Sequence, residues 1–258
     1  MSEQVKSEIA DGVLTLTIAR PDKKNALTND MYGALADALD RAESDAATRV
    51  VLIQAQGDMF SAGNDVGEFA AQATGMGSND ELHVVRFLRN LAKASRPLVA
   101  AVQGRAVGVG TTMLLHCDMV VLAEDALLAT PFVNLALVPE AASSFLMPAR
   151  IGYVRAFEMF ALGEPVSAKD ALAWGLANQV VPVGLLHVKA RELARRMAAQ
   201  PVGALAATKR LMRDPQILTA HMDAETVQFV ERLGSPEARE AFAAFAQRRP
   251  PNFSNLAG

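Results

Sequence analysis

The sequence predicts an α/β fold with a largely parallel sheet, followed by a helical C-terminal region. Two apolar runs, residues 50–55 and 97–102, each lead into a glycine-containing turn and then a helix, which is the order of a parallel α/β unit. After Gly152, helical spacing dominates. The 258 residues are 51% hydrophobic and 21% charged, so the chain can form a sizeable core and a disordered chain is excluded.

The N-terminal elements are predicted as a hairpin and a helix. Residues 5–10 and 13–18 flank Asp11-Gly12, which is a strong two-residue turn signal, and the second run alternates as a half-buried strand does. A polar loop, residues 21–25, follows. Thr28 is then expected to cap a helix that places Met31, Leu35, Leu39 and Ala42 on one face.

Two strand–turn–helix units come next. Residues 50–55 predict a strand covered on both faces, and a helix is expected to start at about Val66. Residues 70–80 have loop composition and are interpreted as a candidate mobile flap, whereas residues 81–94 predict a helix that stops before Pro97. The second unit comprises a strand at residues 97–102, a turn at 104–110, a helix at 111–116 and a strand at 118–122, followed by an extended stretch through residue 132.

Beyond Gly152 the chain is predicted to be helical in six segments, at residues 153–162, 167–174, 183–199, 203–212, 215–233 and 236–248. No glycine- or serine-rich linker separates these helices from the first part. We therefore expect an α/β core over residues 1–190 and a helical region over residues 191–258 that packs on it. Apolar residues exceed one buried stripe on these helices, which favours an oligomer interface.

Charge and cysteine content exclude several classes of protein. A formal net charge of −3 gives no reason to expect a nucleic acid or an anionic membrane as partner. The single cysteine, Cys117, cannot form an internal disulfide, and the four histidines lack metal-ligand spacing, so no metal site is expected. The N-terminus is polar and no run is long enough to span a bilayer. The expected location is cytoplasmic.

Two glycine-containing turns are candidates for binding an oxygen atom. In residues 61–65 and 108–110, backbone N–H groups at the start of a helix lack intrahelical partners and could converge on one oxyanion. The alternative is that these glycines only permit tight turns. A dinucleotide site is disfavoured because the turn at residues 104–110 does not complete the GxGxxG pattern.

Glu140 is the most unusual carboxylate of the sequence. No lysine or arginine lies within nine residues of it on either side, and most of its neighbours are apolar. Such a carboxylate is either an exposed turn residue or a desolvated base with a raised pKa, and the residues alone leave both open.

Together these motifs resemble the enoyl-CoA hydratase/isomerase (crotonase) superfamily. The resemblance is carried by Phe60-Ser61-Ala62-Gly63-Asn64-Asp65 with residues 103–110, and it extends over nearly the whole chain. It implies a crotonase-like spiral of repeated ββα units with a helical C-terminal trimerisation region. It also implies an acyl-CoA substrate, no cofactor beyond its CoA moiety, and a homotrimer or a hexamer built as a dimer of trimers.

The resemblance also implies roles for single residues. The backbone N–H groups of Asn64 and Val109 are expected to form the oxyanion hole, although the position of Val109 is often glycine in the family. The residues expected to hold CoA are Lys23, Asn25, Ala26, Leu27, Ala62 and Asp65.

Departures from the family pattern bear on the reaction. Hydratases of the family use two glutamates, and the matching positions here are Thr112 and Phe132, neither of which can act as a base. The segment from Thr130 to Ser144 instead resembles the peroxisomal-type Δ3,Δ2-enoyl-CoA isomerases and their bacterial relatives, which implies that Glu140 is the single catalytic base. Phe132 and its apolar neighbours are expected to keep the site dry.

Two other hypotheses remain. A hydratase or another thioester reaction would need a second group to activate water, and Glu68 and Asp65 are the nearest candidates by sequence. A binding protein for RNA is disfavoured, since the cationic patches at residues 191–196 and 209–213 are interpreted as solvated helix faces or as contacts to CoA phosphates.

Overall fold

A computed structural model describes residues 3–65, 67–68, 83–254 and 256 of the chain. The predicted flap at residues 70–80 and the predicted helix start at Val66 lie outside the described residues.

The described strands form two sheets. They are β1 Val5–Ala10, β2 Val13–Ile18, β3 Val50–Ala55, β4 Leu98–Val102, β5 Arg105–Val107, β6 Met119–Ala123, β7 Leu127–Ala129, β8 Val166–Ser167 and β9 Gln179–Val181. The large sheet has the order β1-β2-β3-β4-β6-β9 and is parallel except for the β1–β2 hairpin, and the small sheet has the order β5-β7-β8. The chain alternates between the sheets from β4 to β7, which confirms the predicted spiral of ββα units.

The described helices confirm the α/β core and the helical C-terminal region. They are α1 Asn29–Ser44, α2 His83–Lys93, α3 Val109–Thr112, α4 Ser143–Ile151, α5 Tyr153–Leu162, α6 Ala168–Trp174, α7 Leu186–Ala198, α8 Val202–Met212, α9 Pro215–Leu233 and α10 Pro236–Ala246. Short 3₁₀ turns account for two differences from the predicted bounds: Val183–Leu185 precedes α7, and Met113–His116 follows α3.

The predicted hairpin and helix cap are both confirmed. Asp11 and Gly12 have φ angles of 54° and 76°, the left-handed pair that a two-residue hairpin turn needs. Thr28 is extended, and its side-chain oxygen accepts a hydrogen bond of 3.3 Å from the N–H of Met31 at the start of α1.

Strand β3 is covered on both faces, as its continuous apolar run predicts. Val51 and Ile53 belong to the main core, which also contains α1 and α2 side chains, whereas Val50 and Leu52 pack in a second cluster with α7. Helix α7 crosses the predicted boundary at residue 190, and its residues on both sides of that position contact the same face of the sheet. The division into residues 1–190 and 191–258 stays a prediction.

Helix α4 and strands β5, β8 and β9 were not predicted from the sequence, whereas β7 lies in the stretch through residue 132 that was expected to be extended. The strands have two or three residues, too few to show alternation. Helix α4 contains Pro148 and has no side-chain cap of its own, so it lacks the usual helix signals. Within the described part of the chain, none of the helices is long and apolar enough to cross a membrane.

Candidate active site

The two glycine-containing turns lie side by side. The N–H of Ser61 donates to the carbonyl oxygen of Arg105 at 3.1 Å, and the N–H of Val107 donates to that of Ser61 at 2.9 Å. A Cβ atom on Gly63 would lie 2.9 Å from the carbonyl oxygen of Val107, and one on Gly110 would lie 3.1 Å from Ser61. A side chain at position 63 would clash with the neighbouring backbone, and one at position 110 would crowd Ser61, so the two glycines let the turns approach this closely.

Each turn contains at least one backbone N–H that has no acceptor among the described residues. Around Asn64, the N–H groups of Gly63 and Asp65 are engaged, but that of Asn64 is not. Val109 is the first residue of α3, where N–H groups lack intrahelical partners, and its own N–H is likewise unused. These are the two donors that the sequence analysis assigns to the oxyanion hole.

The left-handed backbone of Gly108 sets the direction of the second turn. Its φ and ψ angles are 56° and −119°, a conformation that glycine alone adopts readily. The carbonyl oxygen of Gly108 then accepts hydrogen bonds from the N–H groups of Thr111 and Thr112 at 2.9 Å each. Val109 is thereby fixed at the helix start, 1% exposed.

The loop before α1 supports the first turn. Arg20 donates to the carboxylate of Asp65 at 2.7 Å and to the carbonyl oxygen of Ala26 at 3.0 Å. The fully buried side chain of Asn25 donates to the carbonyl oxygens of Gln56 and Met59, both at 2.7 Å, and accepts from the N–H of Arg20. Asn25 therefore uses its side chain to shape the loop.

The residues assigned to CoA by resemblance occupy this loop and the first turn. Lys23 is exposed, and the N–H of Ala62 donates to the carbonyl oxygen of Lys24 at 2.9 Å. The N–H of Leu27 donates to the carbonyl oxygen of Gly63 at 2.8 Å, so the loop and the turn form one continuous surface. The CoA roles of Lys23, Asn25, Ala26, Leu27, Ala62 and Asp65 stay predictions.

A cavity of about 160 Å³ lies beside this surface. It is lined by Leu27, Asn64, Asp65 and Glu140 of the predicted set. Val109 is not among the lining residues. Most of the wall is apolar and comes from α2 and α9; these side chains are Val84, Val85, Leu88, Met222, Phe229, Val230 and Leu233.

Glu140 is desolvated in this cavity. Its Oε1 atom is buried and has no hydrogen-bond partner among the described residues. Burial raises the pKa of its carboxyl to about 7, the negative charge of Glu225 adds to this effect, and the nearby Thr112 hydroxyl acts in the opposite direction. Of the two interpretations that the sequence leaves open, the buried Oε1 atom favours a desolvated carboxyl, and its role as a base stays a prediction.

Thr112 and Phe132 both lie in the core. The Thr112 hydroxyl is fully buried near the Glu140 carboxyl, whose charged form it favours. Phe132 was expected to keep water out of the site. It instead packs against Phe160, with ring centroids 6.2 Å apart, and it does not line the cavity. Side chains of α9 provide the apolar wall in its place.

Tyr32 and the α9 residues are functional candidates that sequence reasoning missed. Tyr32 lines the cavity, is 3% exposed, and shares a short hydrogen bond with the side-chain oxygen of Asn64. Burial raises its pKa, and the charge of Glu140 raises it further. Since a buried tyrosine needs a polar partner, its place in α1 next to the loop motif is a usable signal. The α9 residues carry no such signal.

The raised pKa of Glu140 predicts a stability effect that depends on pH. Between pH 4.5 and 7 the unfolded carboxyl ionises while the folded one stays protonated, so the wild-type protein loses stability as pH rises through this window. Glu140→Gln lacks that loss. We take the free energy of unfolding of Glu140→Gln minus that of the wild type. This difference should be about 2 kcal/mol higher at pH 8 than at pH 5.

Urea unfolding at the two pH values measures this difference. Glu231→Gln, an exposed position on α9, is the control and should show no pH-dependent gain. An equal effect of Glu140→Gln at pH 5 and pH 8 would contradict a desolvated carboxyl.

Comparison with known proteins agrees with this geometry. Residues 8–256 match the family described as "Enoyl-CoA hydratase/isomerase". The chain is 33% identical to the 1,2-epoxyphenylacetyl-CoA isomerase of Escherichia coli K12 over 98% of this chain and 99% of that protein. It is 32% identical to the 2,3-dehydroadipyl-CoA hydratase of the same organism, over 98% of this chain and 99% of that protein. The crystal structure of an enoyl-CoA hydratase/isomerase from Pseudoalteromonas atlantica T6c superposes with a TM-score of 0.92 at 38% identity, covering 98% of this chain and 100% of that one. The chain therefore belongs to the enoyl-CoA hydratase/isomerase (crotonase) family of acyl-CoA thioester enzymes.

Proposed function

We propose that this protein is a Δ3,Δ2-enoyl-CoA isomerase in which Glu140 shuttles one proton. The observation that carries the proposal is the unpartnered Oε1 atom of Glu140 in an apolar cavity, next to the turn that ends in Asn64. One base is enough for this reaction, since the proton that is removed is also the proton that is returned.

The proposed reaction has two proton-transfer steps. The Glu140 carboxylate removes a proton from C2 of a 3-enoyl thioester, and the electron pair moves onto the thioester oxygen to give a dienolate. The N–H groups of Asn64 and Val109 donate to that oxygen. The Glu140 carboxylic acid then returns the proton to C4, which leaves the double bond between C2 and C3.

A pKa of about 7 suits a group that must accept and then donate a proton near neutral pH. A carboxylate with an ordinary pKa would be a weaker base for an α-proton. The apolar wall from α2 and α9 keeps water from competing for the dienolate.

Two substrates test the proposal. Purified protein is incubated with 3-hexenoyl-CoA and with crotonyl-CoA while the absorbance of the conjugated enoyl thioester is followed. We expect absorbance to rise with the first substrate and to change little with the second. Rapid loss of absorbance with crotonyl-CoA would instead identify a hydratase, and no change with either would point to another thioester substrate.

An enoyl-CoA hydratase is the second candidate, favoured by one observation. Glu68 lines the same cavity as Glu140, and its carboxylate accepts a hydrogen bond of 2.7 Å from the N–H of Asn29. Asp65, the other candidate from the sequence, is held in an ion pair by Arg20, which lowers its pKa and makes it a poorer base.

Glu68→Gln separates the two reactions. In an isomerase with one base, we expect this variant to retain isomerisation of 3-hexenoyl-CoA within about threefold, since a change at an uninvolved polar group has a small effect. Hydration of crotonyl-CoA by the wild type that is lost in Glu68→Gln would establish Glu68 as the second acid/base.

The assembly is proposed to be a homotrimer or a hexamer. Large apolar side chains lie exposed on the helices after Gly152, among them Leu211 at 90%, Met212 at 82% and Val154 at 77%. Burial of such side chains between copies would remove apolar surface from water. The cytoplasmic location, the lack of a metal or cofactor beyond CoA, and the lack of nucleic-acid and membrane partners stay predictions.

A further inference from the structure

The turn that follows Glu140 has an unusual backbone. Ala141 and Ala142 have φ angles of 63° and 54°, so two consecutive residues with side chains adopt the left-handed conformation. Such a backbone persists only where surrounding contacts hold it. Because this turn carries Glu140 into the cavity, the groups that hold the turn also place the base.

Glu225 of α9 holds one side of the turn. Its Oε2 atom accepts a hydrogen bond of 2.6 Å from the N–H of Ala142, and its Oε1 atom accepts bonds from the N–H of Ser144, at 2.9 Å, and from the Ser144 hydroxyl. Helix α4 has no side-chain cap of its own. Glu225, which is 8% exposed, therefore caps α4 from a distant part of the chain.

His116 holds the other side. A guanidinium N–H of Arg213 donates to its Nδ1 atom at 2.7 Å, so its Nε2 atom carries the hydrogen and donates to the carbonyl oxygen of Ala141 at 2.8 Å. Burial lowers the pKa of His116, and the charge of Arg213 lowers it further, so this histidine is neutral. The hydrogen bond from His116 to Ala141 therefore involves no group that titrates near neutral pH.

Glu225 also acts on Glu140 electrostatically. Burial raises the pKa of Glu225, but the hydrogen bonds from Ser144 and Ala142 favour its charged form. That charge opposes ionisation of Glu140. The other titratable or charged groups at the site are Tyr32 on α1, His221 one turn earlier on α9, Glu68, the Arg20–Asp65 ion pair, and the Arg89–Asp223 ion pair between α2 and α9.

We propose that Glu225 is a positioning residue that holds the left-handed turn behind Glu140 and places a second carboxylate in the cavity that Glu140 lines. Its part in catalysis rests on the proposed isomerase function, but its effect on the ionisation of Glu140 does not. The C-terminal helix α9 thus contributes to the reaction through Glu140 as well as through the cavity wall.

The closing experiment follows the titration of Glu140 directly. Protein labelled with ¹³Cδ-glutamate is titrated by NMR, and the Glu140 signal is assigned by its loss in Glu140→Gln. We expect a midpoint near pH 7 in the wild type and a midpoint about one pH unit lower in Glu225→Gln. Glu231→Gln, on the same helix but exposed, is the control and should titrate like the wild type.

Kinetics complete the test. In Glu225→Gln the acidic limb of the kcat/KM profile for 3-hexenoyl-CoA should move to lower pH together with the NMR midpoint. Glu225→Asp keeps the negative charge but moves the carboxylate away from the turn. In this variant the Glu140 midpoint should stay near pH 7, while kcat falls by about 10- to 100-fold. An unchanged Glu140 midpoint in a folded Glu225→Gln would overturn the proposal.

Two further outcomes are decisive. If Glu225→Gln does not fold, Ser144→Ala replaces it, since this change removes one hydrogen-bond donor from the Glu225 carboxylate. A lower kcat at unchanged KM in Ser144→Ala supports the positioning role of Glu225. An unchanged kcat overturns it. If the Glu140 midpoint falls in Glu225→Gln as expected but the wild type isomerises no enoyl-CoA, the proposed function fails while the effect of Glu225 on Glu140 is supported.

Discussion

Glu140→Gln is expected to lower kcat for 3-hexenoyl-CoA isomerisation by about 10³-fold, because an amide cannot take the proton from C2. Binding of the substrate should change little, since the Gln side chain has nearly the same size and the oxyanion donors are backbone groups. Stopped-flow absorbance gives the rate, and calorimetry with a saturated acyl-CoA gives the affinity.

Glu231→Gln serves as the control for this change. It removes a carboxylate from an exposed position of α9 that does not line the cavity, so its kcat should equal that of the wild type. Retention of more than about a tenth of the activity in Glu140→Gln would assign the base to another group.

Val109→Pro is the second change with a large expected effect. Proline removes the N–H that is assigned to the oxyanion hole, while its φ angle fits the first position of a helix. We expect kcat to fall by about 10²- to 10³-fold, as is typical when one oxyanion donor is lost. The rate with 3-hexenoyl-CoA and the far-ultraviolet circular dichroism spectrum are measured on the same preparation.

Val109→Ala is the matched control because it shortens the buried side chain but keeps the N–H. It should lose some stability through the cavity it creates, while its kcat stays within about threefold of the wild type. Equal losses of activity in the proline and alanine variants would mean that packing at Val109, and not its N–H, supports the reaction.

The fold was largely predictable because its signals are local. The continuous apolar run of β3, the Asp11-Gly12 turn and the Thr28 cap each determine a structure within a few residues. Helix α4 was missed because its cap, Glu225, lies 81 residues after Ser144 and no local pattern indicates it. A cap supplied across the fold leaves no mark in the sequence around the helix.

The candidate site was predictable to the extent that it depends on backbone groups in glycine-containing turns. Roles for Asn64 and Val109 could be proposed because their motifs are contiguous. The structure places the two turns side by side, and the roles themselves stay predictions. The ionisation of Glu140 could not be decided from the sequence, since it depends on burial by α9 and on the charge of Glu225. Tyr32 and the apolar wall from α9 likewise depend on tertiary packing.

The most direct test of the proton shuttle uses 3-hexenoyl-CoA that carries deuterium at C2. After conversion in ordinary water, the position of deuterium in the product is read by mass spectrometry and NMR. The proposed mechanism predicts 2-hexenoyl-CoA with deuterium at C4, because Glu140 returns the proton it removed inside a cavity with an apolar wall. Product formed at the full rate with only hydrogen from water at C4 would contradict transfer by a single buried base.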